Sequence, residues 1–286
     1  MRFVVFPVIP VLMALAIVMQ SAAPVSQTGA SRVALATVMD PRNRPLVDVS
    51  ADDFVIQEAG TAREILSIRP ADYPIVILFD TGAAARDDVP SIRKAIERFI
   101  DRIGQRPIAV GTFGDVPAML TTFEDDRSAI APKLDAAVAN PHGDSLLTRG
   151  AALAGQMIQA VSPLFSAIVI LSAAPLGDTP DAGEEVIAPI IDSGAAVHVI
   201  ANRSASSGAA SRGAVAIRSL AEQTHGEFTS IYSSASYQAA LDRLADRLTA
   251  EMMVEYLVPP GSKPSDVKVG VRIPGARVRG LGVAPR

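Results

Sequence analysis

The chain contains no cysteine. That absence removes disulfides, thiolate nucleophiles and cysteine-based metal sites together, and it leaves the compartment open. Aromatic residues are scarce at 5%, against a hydrophobic fraction of 49%. The core therefore has to be packed with Val, Ile, Leu and Ala, as α/β folds are. No run of Lys or Arg is present, and the formal net charge is −4, from 26 basic and 30 acidic residues. Neither bulk affinity for nucleic acid nor a local basic patch is expected from such a pattern. A Gly-rich phosphate loop ending in Lys, a dinucleotide-binding Gly pattern after a strand, and a His-Glu-x-x-His spacing are all missing.

One long hydrophobic run exists, and it is N-terminal. Met1-Arg2 supplies a minimal positive start, Phe3 to Met19 is uncharged and apolar, and Ser21-Ala22-Ala23 has the small residues of a cleavage site. This reads as a signal peptide over 1–23. Because Pro24 is a poor residue after a cut, cleavage as late as Ala30 is the alternative. The expected location is extracytoplasmic, periplasmic or secreted. Contact with a membrane would come only through an uncleaved N-terminal anchor, since the run approaches spanning length.

The remainder divides by pattern. Residues 31–71 read as short strands: Val33–Val38, a turn-rich Asp40–Pro45, and a hairpin from Asp53–Glu58 to Ala62–Ile68 around Gly60. From 72 to 253 strands and helices alternate, which predicts a three-layer α/β domain. Its centre is Tyr73-Pro-Ile-Val-Ile-Leu-Phe-Asp80, a continuous apolar run suited to a parallel strand buried on both faces. Phe165–Leu171 and Ala195–Ile200 are of the same kind. Arg106–Phe113 and Val116–Thr122 flank a Gly114-Asp115 turn, so one of them should be an antiparallel edge strand. Helices are expected after the acidic N-cap candidates Asp87 and Asp88, near Arg127–Val138, Ser145–Val161, Asp181–Asp192 and Val215–Glu222, and through Tyr237, Leu241, Leu244, Leu248 and Met252. Ala201–Gly213 reads as a flexible connector. Residues 254–286 return to β character, and pairing of the two flanks would form a small β unit.

This order of pieces resembles a von Willebrand factor A-type (VWA) domain, in particular the exported bacterial set with flanking β segments that is abundant in acidobacteria. The resemblance rests on Ile75–Asp80 as first core strand, on Val38–Val47 with Ser50–Glu58 as lead-in, and on Tyr256–Pro260 with Val278–Gly282 as closing segment. It implies a Rossmann-like three-layer fold with a mostly parallel sheet and one antiparallel edge strand. The family's hallmark is a metal-ion-dependent adhesion site: an Asp-x-Ser-x-Ser loop, a Thr from a second loop and an Asp from a third. Such hydroxyl and carboxylate oxygens suit Mg²⁺, a hard cation.

Matched position by position, Asp80 stands for the first Asp. Gly82 and Ala84 replace the two serines, and neither has a side-chain oxygen. Thr81 carries a hydroxyl, but at the intervening position. Ser145 stands where the Thr would be, and Ala173 where the last Asp would be. Only Asp80 and Ser145 would be left to hold a metal. Asp144, Asp178, Asp87 and Asp88 would substitute only through remodelled loops. No bound metal or other cofactor is therefore expected, and Asp80 reads as a carboxylate accepting backbone N–H bonds from its small-residue loop.

The expected function is non-enzymatic binding of a protein or cell-surface partner, independent of metal. The candidate surface comprises Asp80–Asp88, Asn140–Arg149 and Ala173–Asp181. A Mg²⁺-dependent adhesion module using Asp80 and Ser145 is the first alternative. A hydrolase built on Ser145 and His142 is the second, and it lacks a nucleophile-elbow pattern. His198, inside an apolar strand, reads as a packed core residue.

Overall fold

The computed structural model describes residues 29–42, 44–173, 184–203, 212–263 and 265–285. The N-terminal leader, most of the 201–213 connector and the stretch 174–183 lie outside these.

Thirteen strands and six α-helices are present among the described residues. The central sheet uses β5 (Ile75–Asp80), β6 (Ile108–Phe113), β7 (Ala118–Met119), β8 (Ala167–Ser172), β9 (Ala196–Asn202) and β10 (Phe228–Ile231), in the spatial order β10-β9-β8-β5-β6-β7. All neighbours are parallel except β6 and β7, so β7 is the antiparallel edge strand expected from sequence. Strand β5 lies between β8 and β6, and every one of its six residues is buried. Both its faces are covered, which is why its sequence is continuously apolar rather than alternating.

Alternation along β5 still sorts its side chains between two cores. Ile75, Ile77 and Phe79 face α1 (Val89–Arg102), α2 (Ile130–Ala136) and α6 (Ser236–Thr249). Val76 and Leu78 face α3 (Leu147–Val161), α4 (Glu184–Asp192) and α5 (Arg212–Gln223). This three-layer arrangement is the Rossmann-like α/β architecture. Among the described residues no helix is long and apolar enough to cross a membrane.

The flanks form two antiparallel sheets. Strands β1 (Ala30–Met39), β4 (Ile65–Pro70), β11 (Glu251–Val258) and β13 (Arg277–Pro285) are ordered β13-β1-β11-β4. Strands β2 (Phe54–Glu58), β3 (Thr61–Arg63) and β12 (Val267–Val271) are ordered β12-β2-β3. The four-stranded sheet is the middle layer. On β1, Val33 and Leu35 join the α/β core, while Ala34, Ala36 and Val38 join a separate core with Phe54, Ile56 and Tyr256. The Arg32 guanidinium forms an ion pair with Glu58, which Arg63 also approaches at 3.4 Å; both side chains of the first pair are almost fully buried.

Several sequence expectations shift. The 53–68 hairpin closes only over Thr61–Arg63, after which β4 leaves to pair with β11, placing Ile65 and Ile68 in the flanking core. Met252 keeps helical spacing with Leu248 but lies in β11, because α6 stops at Thr249 and Met252 packs into that same core. Only Ala118–Met119 of the Val116–Thr122 run pairs with β6. Beyond it Thr121 folds back, its hydroxyl accepting from the Val110 N–H at 2.8 Å. Helix α2 begins at Ile130 after a 3₁₀ turn at Arg127–Ala129 and ends at Ala136. In the expected connector, Ala201 and Asn202 belong to β9, and Arg212 and Gly213 belong to α5.

Candidate functional site

Parallel strands β5, β8 and β9 end on the same edge of the sheet, the edge where ligands gather in open α/β folds. Asp80 is the last residue of β5 and is fully buried. Burying a carboxylate without partners is costly, so its bonds define the site. One oxygen, Oδ1, accepts from the Gly82 N–H at 2.9 Å and from the Ser145 hydroxyl at 2.6 Å. The other, Oδ2, accepts from the Ala173 N–H at 3.3 Å. The three loops expected to meet here do meet, and the Asp80 carboxylate joins them.

Gly82 is required by this closure. A Cβ built on it would lie 2.3 Å from Ser145 Oγ and 2.9 Å from the Asp144 carbonyl oxygen. The space a side chain would need at that position is taken by the second loop, which is also held by the Ala83 N–H donating to the Gly143 carbonyl at 2.8 Å. Ala84 is exposed in a short 3₁₀ turn, Ala83–Ala85, and Ala173 is 8% exposed. Thr81 is buried with its carbonyl accepting from the Asn140 N–H at 2.9 Å. Its hydroxyl sits over Gly114, where an added Cβ would come within 2.7 Å of Oγ1.

A second latch sits beside the first. Asp115 accepts from the Asn140 side-chain amide at 2.7 Å and from the Asp144 N–H at 2.5 Å, tying the β6–β7 turn to the loop before α3. This explains why α3 begins at Leu147 and not at Ser145: Ser145 is held in the loop by Asp80. His142 is exposed, and its backbone N–H, not its ring, bonds Asn140. No hydrogen bond joins His142 to Ser145 among the described residues, and the Ser145 hydroxyl donates to Asp80 instead.

Sequence reasoning missed a neighbouring cluster. Asp88 occupies the N-cap position of α1 but makes no side-chain cap bond. Its carboxylate accepts from the Asn202 amide at 2.9 Å and from the Ser234 hydroxyl, linking α1 to the ends of β9 and β10. An acidic residue before a helix gives an N-cap signal, and nothing local in the sequence announces partners more than a hundred residues away. Between the two carboxylates stands Tyr237, whose hydroxyl donates to the Ser172 carbonyl at 2.8 Å. Burial first, then the charges of Asp88 and Asp80, push its phenol well above the ordinary value. The tyrosine is therefore a neutral donor at any working pH.

Among the described residues no group of three or more His, Cys, Asp or Glu side chains is arranged to hold a metal ion. His198 lies elsewhere, in β9, and is 2% exposed. Burial, reinforced by Arg247 and Arg279, lowers its pKa to about 3, so it is neutral.

No protein-family model matches the sequence, and no curated protein matches it either. Solved structures do. The chain is similar to a von Willebrand factor type A protein from Catenulispora acidiphila, with 12% identity and a TM-score of 0.52 over 91% of this chain and 74% of that one. It is also similar to proximal thread matrix protein 1 from the mussel byssus, with 13% identity and a TM-score of 0.50 over 71% of this chain and 50% of that one. A second structure of the mussel protein, with a zinc-occupied MIDAS motif, matches at 14% identity with the same TM-score. Identities this low speak to architecture alone, and the six-stranded, mostly parallel sheet between two helical layers accords with it: the chain has the fold of a von Willebrand factor A-type domain.

Proposed function

We propose that this protein is an exported, non-enzymatic binding module that engages a protein or cell-surface partner through the loops at the ends of β5, β6, β8 and β10 and the loop before α3, without a metal ion. The observation that carries the reading is the closure around Asp80. Its carboxylate is engaged by the Ser145 hydroxyl and by two backbone N–H groups, where an adhesion site would direct it at a cation. Gly82, Ala84 and Ala173 contribute no side-chain oxygen, and the donor set left to a cation is Asp80 and Ser145. Mg²⁺ demands near-octahedral oxygen coordination and dehydrates reluctantly, so this donor set does not fit it.

Binding by this edge has its own support. Val116, Val138 and Tyr232 are 80%, 75% and 75% exposed, and each stands in a connection at that end of the sheet. Exposed apolar and aromatic side chains on loops held by a rigid scaffold are common means of partner recognition. The exported state rests on the sequence of the leader.

The test is site-specific photo-crosslinking in native envelopes, with a photoreactive residue at Ala84, His142 or Tyr232, and at Lys94 on α1 as the control. Adducts from the first three positions that persist in EDTA support the reading. Adducts that vanish in EDTA, or that form only at Lys94, contradict it.

A further inference from the structure

At the other end of the sheet, α6 and β13 turn four arginines towards one recess. Arg243 and Arg247 are one helical turn apart on α6, so they share a face. Arg277 and Arg279 are two residues apart on β13, opposite Met39 and Thr37 of β1, and also share a face. All four line a cavity of about 490 Å³, whose remaining walls include Met39, Pro45 and Val278. That volume is within the range of about 300–1,000 Å³ typical of small-molecule sites.

The charges there are not balanced. Two acids line the recess, and both are engaged: Glu227 pairs with Arg247 at 2.7 Å, and Asp246 pairs with Arg102 of α1. Arg243, Arg277 and Arg279 form no hydrogen bond or ion pair among the described residues. Like charges one helical turn apart disfavour a helix. Burial, followed by the nearby positive charge of Arg247, lowers the proton affinity of the Arg279 guanidinium, and the carboxylates of Glu227 and Glu251 offset this only in part. The sequence contains no basic run because the cluster is assembled from a helix and a strand far apart in the chain.

We propose that this recess binds a phosphate or sulfate ester of a small polar molecule, with the guanidinium groups of Arg243, Arg277 and Arg279 holding the oxyanion. Guanidinium forks match tetrahedral oxyanions in a bidentate way that ammonium groups do not. The apolar side chains of Met39, Pro45 and Val278 give the organic part of the ester a wall to lie against. The site is separate from the Asp80 edge and does not depend on how that edge functions.

Calorimetric titration of the full chain with glucose 6-phosphate, and in a parallel arm with glucose 6-sulfate, tests the assignment and separates the two esters. Saturable binding of at least one is expected. Arg277→Gln/Arg279→Gln should weaken it about tenfold or more, as loss of charge-assisted bonds does. Arg243→Gln, at an exposed helix position, should weaken it similarly and decides the matter if the strand variant does not fold. Lys133→Gln, on α2 and outside the lining of the recess, should leave it unchanged. Absence of saturable heat in both arms, or an equal loss in Lys133→Gln, would overturn the proposal.

Discussion

Ser145 Oγ donates a 2.6 Å hydrogen bond to Asp80 Oδ1, fastening the loop before α3 to the end of the central strand. The acceptor is a fully buried carboxylate. Ser145→Ala is expected to destabilise the fold by about 1.5–3 kcal/mol, the range for a lost bond to a charged group. Ser145→Thr keeps the hydroxyl and should lose less. Urea unfolding with an unchanged m-value measures both.

Rebuilding the first missing serine is expected to harm the protein. A Cβ at Gly82 would lie 2.3 Å from Ser145 Oγ, and the backbone oxygen of Asp144 stands at 2.9 Å. Gly82→Ser should cost about 1–3 kcal/mol by overpacking and should bring no Mg²⁺ affinity. A stable Gly82→Ser variant that binds Mg²⁺ would show that the loop opens easily.

The contrast between fold and site explains what could be read from sequence. Ile75–Asp80 announced a buried parallel strand because both its faces are covered, and Gly114-Asp115 announced the turn into the antiparallel edge. These are local patterns of hydrophobicity and turn chemistry. The bonds of Asp88 to Asn202 and Ser234 are not local, and neither is the crossing of β4 from one sheet to another after Arg63. Gly82 was legible as a residue without an oxygen. That its missing side chain makes room for Ser145 is a long-range relationship that no local pattern encodes.

The buried pair Arg32–Glu58 predicts an asymmetry between single and double variants. Arg32→Met should cost about 3–5 kcal/mol, because it leaves the Glu58 carboxylate buried with only the more distant Arg63. Arg32→Met/Glu58→Leu should recover most of that loss, since a well-packed apolar pair avoids the desolvation penalty. Thermal and urea unfolding of the three proteins tests it.

His198 sets a pH dependence whose sign is fixed by its depressed pKa of about 3, against 6.5 for the free side chain. Between these values the unfolded chain binds a proton that the folded chain does not. Stability contributed by the neutral histidine is therefore complete above pH 6.5 and is lost as pH falls towards 3, by about 1.4 kcal/mol per unit once the unfolded group is protonated. Glu251 works in the opposite sense, since burial raises its carboxyl and stability falls as pH rises through that raised value. Comparing wild type with His198→Leu at pH 5 and pH 7 cancels Glu251. The variant should show the smaller loss on acidification. Equal losses would mean that His198 protonates in the folded state.

Whether the Asp80 edge works without metal is decided by titrating Mg²⁺ and Mn²⁺ into the full chain by calorimetry, alongside Asp80→Ala. The closure of Ser145, Gly82 and Ala173 around Asp80 predicts no saturable heat at millimolar metal in either protein. Saturable heat in the wild type that disappears in Asp80→Ala would contradict it and restore a metal-dependent adhesion site.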